Sequence, residues 1–406
     1  MNRDGVHPGR FSRRDAMGIA AAWMLGGFVG SSWGCAAKPR TLRPSPPSGP
    51  WRGGVLPAPD LSDAAVLRYD AGIRPYRRGS VRLAVSQPGE LTPGQRWVHN
   101  YGHGGSGWTL SWGCADWAAS RLADEWELER DRPADDPTPH GAAVLGGGII
   151  GLTTAAMLAR RGISVTVYAE RFDLGTTSAK AGAQFAPSLV TWGDDAPISL
   201  QTVLRVTHRE YRRDASVPAA GVHAKTNFTA ERGGGALRGV PDDLSRPRGL
   251  DRLPFAEVQT AGRAYDTLHL EPPKYLALLR LRLETRGVRF ETRRFDSPAD
   301  VASLPQRRIA NCLGLGAGSL LSDDAVIPIR GQLVHLRPQP ELTYMISHRG
   351  YMFPRSDAVV LGGTIERGVT DATPDDRMCR AILNRHRAFW GWPQDTVASP
   401  QRSRMM

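Results

Sequence analysis

The segment Gly146-Gly147-Gly148-Ile149-Ile150-Gly151 has the glycine spacing of a dinucleotide-binding turn. An apolar stretch, AAVL, precedes it and an amphipathic stretch follows it, which predicts a strand, a tight turn and a helix. Glycines let the backbone approach a pyrophosphate closely, and the helix N-terminus stabilises the negative charge. Glu170, at the end of the next predicted strand, can accept hydrogen bonds from a ribose. This group predicts dinucleotide binding without deciding between NAD and FAD; a purely structural glycine turn is the alternative.

A second glycine-rich loop has the sequence HNYGHGGSGWT and includes Gly104, Gly105, Ser106, Gly107, Trp108 and Thr109. It leads into a predicted helix. Free N–H groups at the start of a helix suit a negatively charged group of a bound ligand. The alternative is a loop that caps the helix and binds no ligand. His103, in the same loop, is interpreted as structural rather than as a base.

The bulk composition excludes several classes of protein. The 406 residues are enough for two domains, and 41% hydrophobic with 23% charged residues is typical of a soluble globular protein. The net charge of +12 comes from arginines that are scattered and form no block with aromatic residues, so nucleic-acid binding is not predicted. Cys114, Cys312 and Cys379 have neither CxxC spacing nor histidines at metal spacing, which predicts packing thiols and no metal site.

Residues 1–37 have the layout of an export signal. Basic residues come first, a mostly apolar run follows from Met17 to Gly30, and small residues come after it. The apolar run is short for crossing a bilayer. Ser12-Arg13-Arg14-Asp15 resembles a twin-arginine signal, although Ala16 stands where an aromatic residue is usual. The alternative is an ordinary membrane anchor.

Cys35 is a candidate site for a lipid anchor, but Ser32 departs from the leucine that such sites usually have. The sequence therefore predicts an exported, periplasmic protein that uses the export machinery for folded proteins. Whether Cys35 carries a lipid or is removed with the signal stays open.

Linkers and elements follow from composition and periodicity along the chain. Residues 38–60 and 131–141 are interpreted as linkers, and residues 391–406 as a loose tail. The predicted helices, besides the one after the dinucleotide turn, are Trp108–Glu129, Pro273–Arg286 and Asp375–Trp390. The predicted strands, besides the two around that turn, are Ser80–Val85, Arg308–Leu313, Gly331–Leu336 and Ala358–Leu361. The alternation predicts an α/β fold with an additional sheet domain.

Several stretches together resemble successive pieces of the D-amino-acid oxidase family of flavoproteins. They are YAERF at Tyr168–Phe172, TTSAKAGA at Thr176–Ala183, NCLGLGAG at Asn311–Gly318, RGQLVHL at Arg330–Leu336, YMFPRSDAVVLGGT at Tyr351–Thr364, GIRPYR at Gly72–Arg77 and HNYGHGGSGWT at His99–Thr109. The resemblance covers most of residues 57–390. It implies a Rossmann-type FAD-binding domain with an interleaved mixed-sheet substrate domain.

The order of these stretches differs from that of the family. There the dinucleotide turn comes first and GIRPYR and HNYGHGGSG come last, whereas here they precede it. A circular permutation accounts for this order, with residues 131–141 joining the family's last helix to its first strand. A fusion or a mis-assembled reading frame is the alternative. The implied bounds are 61–130 for the family's C-terminal segment, 142–195 and 287–320 for the FAD-binding domain, and 196–286 and 321–390 for the substrate domain.

The resemblance also implies which residues contact FAD. On the nucleotide side they are Gly146, Gly147, Gly148, Ile149, Ile150, Gly151, Glu170, Arg171, Thr176, Thr177, Ser178, Gly182, Ala183, Gln184, Phe295 and Leu313. At the isoalloxazine end they are Gly104, Gly105, Ser106, Gly107, Trp108 and Thr109.

For the substrate, the resemblance implies that Arg74 binds a carboxylate and that Tyr351 donates a hydrogen bond to it. A planar guanidinium holds a carboxylate through two parallel hydrogen bonds. The Gly105 carbonyl accepts from the substrate amine. Arg77 and Arg78 are expected to be solvated. Where family members often carry a second tyrosine, this chain has Ser347, which predicts a different pocket lid and side-chain preference.

The implied activity is oxidative deamination of D-amino acids to 2-oxo acids, ammonia and hydrogen peroxide. The neutral amine loses its α-hydrogen as hydride to the flavin, so no general base is needed, and Arg74, Tyr351 and Gly105 orient the α-carbon. The electron acceptor is oxygen or a membrane component. Alternatives are an oxidase of glycine or N-methyl amino acids, a D-amino-acid dehydrogenase, a non-catalytic flavin-binding protein and an NAD-dependent dehydrogenase.

Overall fold

The computed structural model describes residues 49–87, 89–128, 141–230, 237 and 239–392. The predicted export signal, residues 131–140 of the second linker and the tail from residue 393 lie outside these ranges. In the part of the chain that is described, no helix is long and apolar enough to cross a membrane.

A six-stranded sheet holds the dinucleotide turn. Its order is β2 (Arg82–Val85), β3 (Arg96–Tyr101), β10 (Arg308–Asn311), β4 (Ala142–Leu145), β5 (Val165–Ala169) and β9 (Arg289–Thr292). The strands from β3 to β9 are parallel, and β2 is antiparallel to β3. The apolar runs AAVL and VTVYA are buried along their whole length, as expected for parallel strands covered on both faces.

Helices cover both faces of this sheet. On one face, α1 (Gly107–Leu128), α2 (Ile149–Arg160), α4 (Leu200–Asp214) and α5 (Pro272–Thr285) share a core with Ala142 and Val144. On the other face, Ala143 and Leu145 form a core with residues of α6 (Pro298–Ala302) and α7 (Leu315–Leu321). The alternation follows from the two-residue period of a strand. A short helix, α3 (Thr177–Lys180), follows β5.

A nine-stranded sheet forms the second layer. Its order is β1 (Val66–Arg77), β11 (Val326–Leu336), β14 (Val359–Gly362), β13 (Tyr351–Pro354), β12 (Met345–Ser347), β6 (Val222–Thr229), β8 (Gly262–Leu270) and β7 (Arg248–Leu250), with β15 (Glu366–Arg367) beside β11. Helix α8 (Asp376–Phe389) packs its apolar residues on one face of the sheet, against Val334 and Leu336. Leu333 points to the opposite face.

The predicted α/β fold is confirmed, and each predicted helix and strand in the described ranges is present with bounds shifted by a few residues. Two expectations about domains need correction. Residues 49–60 are not a free linker, because Trp51 N donates to Thr226 Oγ1 at 2.8 Å and Tyr344 Oη donates to the Pro57 carbonyl at 2.6 Å. The predicted substrate segment 196–286 is divided, since its helices α4 and α5 pack with α2 while its strands join the nine-stranded sheet.

Candidate active site

A cavity of about 1320 Å³ is lined by residues from both sheets. This is larger than the roughly 300–1,000 Å³ typical of pockets for one small ligand. It is lined by nearly all the residues that the resemblance implied, at both its nucleotide and substrate ends. The volume therefore suits a dinucleotide together with a small substrate.

The nucleotide end is built by the turn between β4 and α2. Gly146 has a φ of 122°, a conformation that favours glycine, and a Cβ there would overlap the Cys312 carbonyl oxygen. A Cβ on Gly147 would lie 2.8 Å from the Arg171 carbonyl oxygen. Helix α2 starts at Ile149 without a side-chain cap from Gly148. The glycines thus let the turn pack closely against neighbouring backbone, while the N-terminus of α2 faces the cavity and fits a pyrophosphate.

Polar and aromatic residues surround this turn along the cavity. Glu170 follows β5 and is 69% exposed, and its carboxylate lies 3.7 Å from Arg294. Ser178 Oγ accepts from Ile149 N at 3.0 Å. Phe295 packs edge-on against Tyr168 and lines the same cavity. All three residues line the cavity, and their contacts with ribose and adenine stay predictions.

The Gly104–Thr109 loop meets the chain after α3. The loop is close-packed here: a Cβ on Gly104 would overlap the Leu189 carbonyl oxygen, and Gly105 N donates to that oxygen at 3.2 Å. Leu189 itself has a φ of 48°. Gly105 is exposed to the cavity, whereas Gly104 and Ser106 are buried. The loop therefore presents the Gly105 backbone to whatever occupies this end.

Three of the implied cofactor contacts do not line the cavity and are corrected here. Ser106 is buried, and its Oγ donates to the Ser188 carbonyl at 2.8 Å. Thr109 is also buried, and its Oγ1 donates to the Ala186 carbonyl at 3.0 Å. A Cβ on Gly151 would overlap the Gly146 carbonyl oxygen, so Gly151 lets α2 approach the turn. These residues hold the backbone in place instead of facing a ligand.

His103 lines the cavity although it was interpreted as structural. Its ring is buried, and Nε2 has no hydrogen-bonding partner among the described residues. Burial lowers the pKa of His103 to about 3, so the ring is neutral near pH 7. The sequence could not show that this side chain reaches the cavity, because that depends on packing against other segments.

Arg74 lies on β1 with its guanidinium over the backbone of β11. Its Nη1 donates to the Thr364 carbonyl at 3.1 Å. A Cβ on Gly331 would overlap the guanidinium nitrogens, so the glycine makes the space that Arg74 occupies. Within the described ranges, Arg74 has no carboxylate partner. Its positive charge therefore remains available to an anion that enters the cavity.

Tyr351 completes the substrate end. Its hydroxyl lies over Gly362, its cross-strand partner, and near the Arg74 guanidinium. Its ring stacks on Phe353 at 4.4 Å between centroids. Burial raises the pKa of Tyr351 above its ordinary value, while the charges of Arg74 and Arg355 oppose the rise. The hydroxyl stays protonated near pH 7 and can donate to an anion beside Arg74.

Arg77 is not solvated, contrary to expectation. Its Nε donates to Asp323 Oδ2 at 2.8 Å, and both side chains are less than a fifth exposed. Tyr101 Oη donates to the same carboxylate oxygen at 2.8 Å. Arg78 is exposed, as expected. The ion pair joins residues so far apart in the chain that the sequence pattern around Arg77 does not indicate it.

The fold and this cavity fit a class of mixed α/β proteins that bind a dinucleotide. The family model described as "FAD dependent oxidoreductase" matches residues 142–405, and the chain belongs to that family. The expectation of FAD is thereby confirmed. When bound, FAD supplies a two-electron acceptor, and the residues placed to hold it are Gly146–Ile150, Glu170, Gly104, Gly105, Gly107 and Trp108.

The chain is also similar to individual proteins. A D-amino-acid oxidase of Streptomyces coelicolor is 30% identical over 259 residues, which span 62% of this chain and 78% of the relative. A human D-aspartate oxidase is 30% identical over 259 residues, with 60% of this chain and 74% of the relative covered. Among solved structures, an iminodiacetate oxidase from Chelativorans sp. has a TM-score of 0.47 at 18% identity, covering 62% of this chain and 79% of that one.

Sequence reasoning missed several residues that shape the cavity, among them Leu189, Gly331, Leu333 and Thr364. The glycines of the RGQ and LGGT stretches were visible in the sequence. Only the pairing of the strands shows that Gly331 makes room for Arg74 and that Gly362 makes room for Tyr351. In the described part of the chain, no group of His, Cys, Asp and Glu residues could hold a metal ion.

Proposed function

We propose that this flavoprotein oxidises D-amino acids to imino acids, which hydrolyse to 2-oxo acids and ammonia, and that oxygen is reduced to hydrogen peroxide. One observation carries the proposal: the Arg74 guanidinium, without a carboxylate partner among the described residues, lies beside the Tyr351 hydroxyl in the cavity. An uncompensated guanidinium next to a hydroxyl donor is suited to a carboxylate. The relatives named D-amino-acid oxidase and D-aspartate oxidase support the same substrate class.

Each of the three substrate-contacting groups has one task in this proposal. Arg74 binds the carboxylate through its planar fork, and Tyr351 donates a further hydrogen bond to it. The Gly105 carbonyl accepts from the neutral amine. With both ends of the molecule held, the α-carbon has one orientation, and positioning of this kind contributes much of the rate enhancement in such reactions. No side chain is required as a general base, and His103 with its lowered pKa is not assigned that task.

The test is the visible flavin spectrum of the purified protein under anaerobic conditions. D-amino acids are expected to bleach the flavin band, whereas the L-enantiomers are not. Admission of air should restore the band and release hydrogen peroxide in proportion to the amino acid consumed. Bleaching by glycine or N-methyl amino acids alone would favour that oxidase activity instead. If no amino acid bleaches a fully loaded protein, the proposed oxidation is wrong, while FAD binding still stands.

We also propose that the chain is exported to the periplasm through the machinery for folded proteins. The Arg13-Arg14 pair ahead of an apolar run supports this. A protein that binds its cofactor before export needs a route that accepts a folded chain.

A further inference from the structure

Hydrogen-bonding side chains continue along the sheet from Tyr351. Ser347 on β12 is the direct cross-strand partner of Tyr351, and Asn227 on β6 is the partner of Tyr265 on β8. Directly opposed residues of an antiparallel pair project from the same face of a sheet. Ser347 Oγ donates to Asn227 Oδ1 at 3.1 Å, so the two pairs are joined. The cavity wall beside Tyr351 is therefore polar.

Gln184, which the resemblance implied to be an FAD contact, belongs by its side-chain amide to the same network beside Tyr351. Its Nε2 donates to the Tyr265 hydroxyl at 3.0 Å, and that hydroxyl also interacts with Ser347 and Asn227. Asn227 and Tyr265 are buried, whereas Gln184 and Ser347 line the cavity. With Nε2 engaged, Gln184 Oε1 has no hydrogen-bonding partner in the described part of the chain. Two buried residues thus hold a free acceptor oxygen at the cavity surface.

The charges around this acceptor limit what it can bind. Arg74, which has no carboxylate partner among the described residues, brings a positive charge to this end of the cavity, whereas Arg355 is paired with Asp357. The carboxylates of described residues that line the cavity are Glu170 and Asp296, which adjoin Arg294 near the dinucleotide turn. A cationic side chain would therefore lack a counter-charge here, and an anionic one would meet an acceptor oxygen. The complementary group is a neutral hydrogen-bond donor.

We propose that Gln184, held by Tyr265, selects substrates whose neutral side chain carries a hydrogen-bond donor, a carboxamide or hydroxyl. This rests on the proposed function, since it concerns the side chain of the same amino acid whose carboxylate Arg74 binds. An apolar side chain of equal size would cover Gln184 Oε1 and leave it unpaired, which is the strongest basis for rejecting an isostere. Tyr265 acts as a positioning residue, because it is buried behind the amide.

Binding of two unreactive acids to the FAD-loaded protein tests the proposal. Succinamate and 4-methylpentanoate share a carboxylate and similar shape, and they correspond to asparagine and leucine without the amino group. Their dissociation constants can be measured from the change in the visible flavin spectrum. Succinamate should bind to the parent protein about tenfold more tightly than 4-methylpentanoate. The reason is that bound 4-methylpentanoate leaves one buried acceptor unpaired. Equal binding, or tighter binding of 4-methylpentanoate, overturns the proposal.

Three variants test whether the preference for succinamate depends on Gln184 and Tyr265. Gln184→Leu should abolish or reverse the preference, and Tyr265→Phe should reduce it because the amide is no longer held. Gln201→Leu makes the same chemical change at an exposed helix position and should leave the tenfold ratio intact. An unchanged ratio in Gln184→Leu would contradict the assignment.

Flavin reduction by D-asparagine and D-leucine distinguishes this proposal from the proposed function. Faster reduction by D-asparagine supports both. Equal reduction by the two overturns the selectivity and leaves D-amino-acid oxidation standing. If neither reduces the flavin while the binding ratio of the two acids persists, the oxidation is wrong and the selectivity for neutral donors holds.

Discussion

Arg387, near the end of α8, donates from Nη2 to Asp63 Oδ1 at 2.8 Å and from Nε to the Leu61 carbonyl at 2.9 Å. Trp390 and Leu61 share one apolar core. The end of the last helix therefore lies beside the residues that lead into β1, although they are more than 300 positions apart in sequence. In the order of the D-amino-acid oxidase family, these two points would be neighbours in the chain.

From this contact we infer a circular permutation and predict that it can be reversed. A chain that starts at residue 141, runs to residue 392, continues through a short linker into residue 49 and ends at residue 130 should fold and bind FAD. The reason is that Arg387 already holds the end of α8 beside the residues that lead into β1, and the contacts of residues 49–60 are kept. The measurement is flavin absorbance per protein. As a control, new ends placed within β11 should prevent folding, and absence of flavin from the first chain would count against the permutation.

Arg74→Leu should keep the flavin spectrum and nearly abolish reduction by D-amino acids. Removing one partner of a buried charge pair costs on the order of 2–5 kcal/mol, which corresponds to roughly thirtyfold to several thousandfold in kcat/KM. Stopped-flow flavin reduction measures it. Arg78→Leu, at an exposed arginine of the same strand region, is the matched control and should reduce normally. A normal rate of flavin reduction in Arg74→Leu would mean that the substrate carboxylate does not bind at Arg74. Arg77 is unsuitable as a control because of its ion pair with Asp323.

Gly331→Ala should impair the same step without replacing a substrate-binding side chain. The added methyl would overlap the Arg74 guanidinium, which can move because it is the end of a flexible side chain. Folding and FAD content should therefore change little, while KM for D-amino acids rises by about tenfold or more, the equivalent of one misplaced charged hydrogen bond. Gly249→Ala, with open space around its Cβ, should behave like the parent. Wild-type kinetics in Gly331→Ala would mean that the position of Arg74 is unimportant.

Stability should fall as pH drops from about 6.5 to about 4. Burial lowers the pKa of His386 to about 3 and that of His99 to about 4, so both stay neutral in the folded chain. The unfolded chain takes up these protons below about pH 6.5, which costs folding about 1.4 kcal/mol per pH unit for each histidine. Denaturant midpoints at several pH values measure the slope. His386→Gln should reduce the slope of stability against pH by the contribution of one histidine. An unchanged slope would contradict the low pKa of His386 in the folded chain.

Replacing Arg13 and Arg14 together by lysine should leave the precursor in the cytoplasm, with FAD bound. Lysine keeps the charge, so a general requirement for a basic N-terminus is still met, whereas the twin-arginine machinery distinguishes the two residues. Fractionation followed by flavin measurement provides the test. Normal export of the double variant would favour an ordinary signal instead.

Local features of this chain were predictable and distant pairings were not. The turn at Gly146–Gly151 and the helix after Trp108 depend on neighbouring residues, so glycine spacing and periodicity indicate them correctly. The pair Arg77–Asp323 and the hydrogen bond of Gln184 to Tyr265 depend on which strands lie side by side. Composition along one segment carries no information about such contacts. The same applies to Ser106 and Thr109. Their hydroxyls donate to backbone carbonyls in the segment 186–188, and neither residue lines the cavity.

The pairing of β1 with β11 has a consequence for synthesis on the ribosome. Arg74 emerges early, but Thr364, whose carbonyl it contacts, is 290 residues further along the chain. Until β11 has also emerged, β1 has an unpaired edge, a state prone to aggregation. Contacts between residues so far apart in the sequence form late, because the long loop between them must close before the contact can stabilise the fold. A cofactor that binds only the completed site then draws newly made chains toward the native state by mass action. The supply of FAD would thus govern the yield of folded protein as well as its activity.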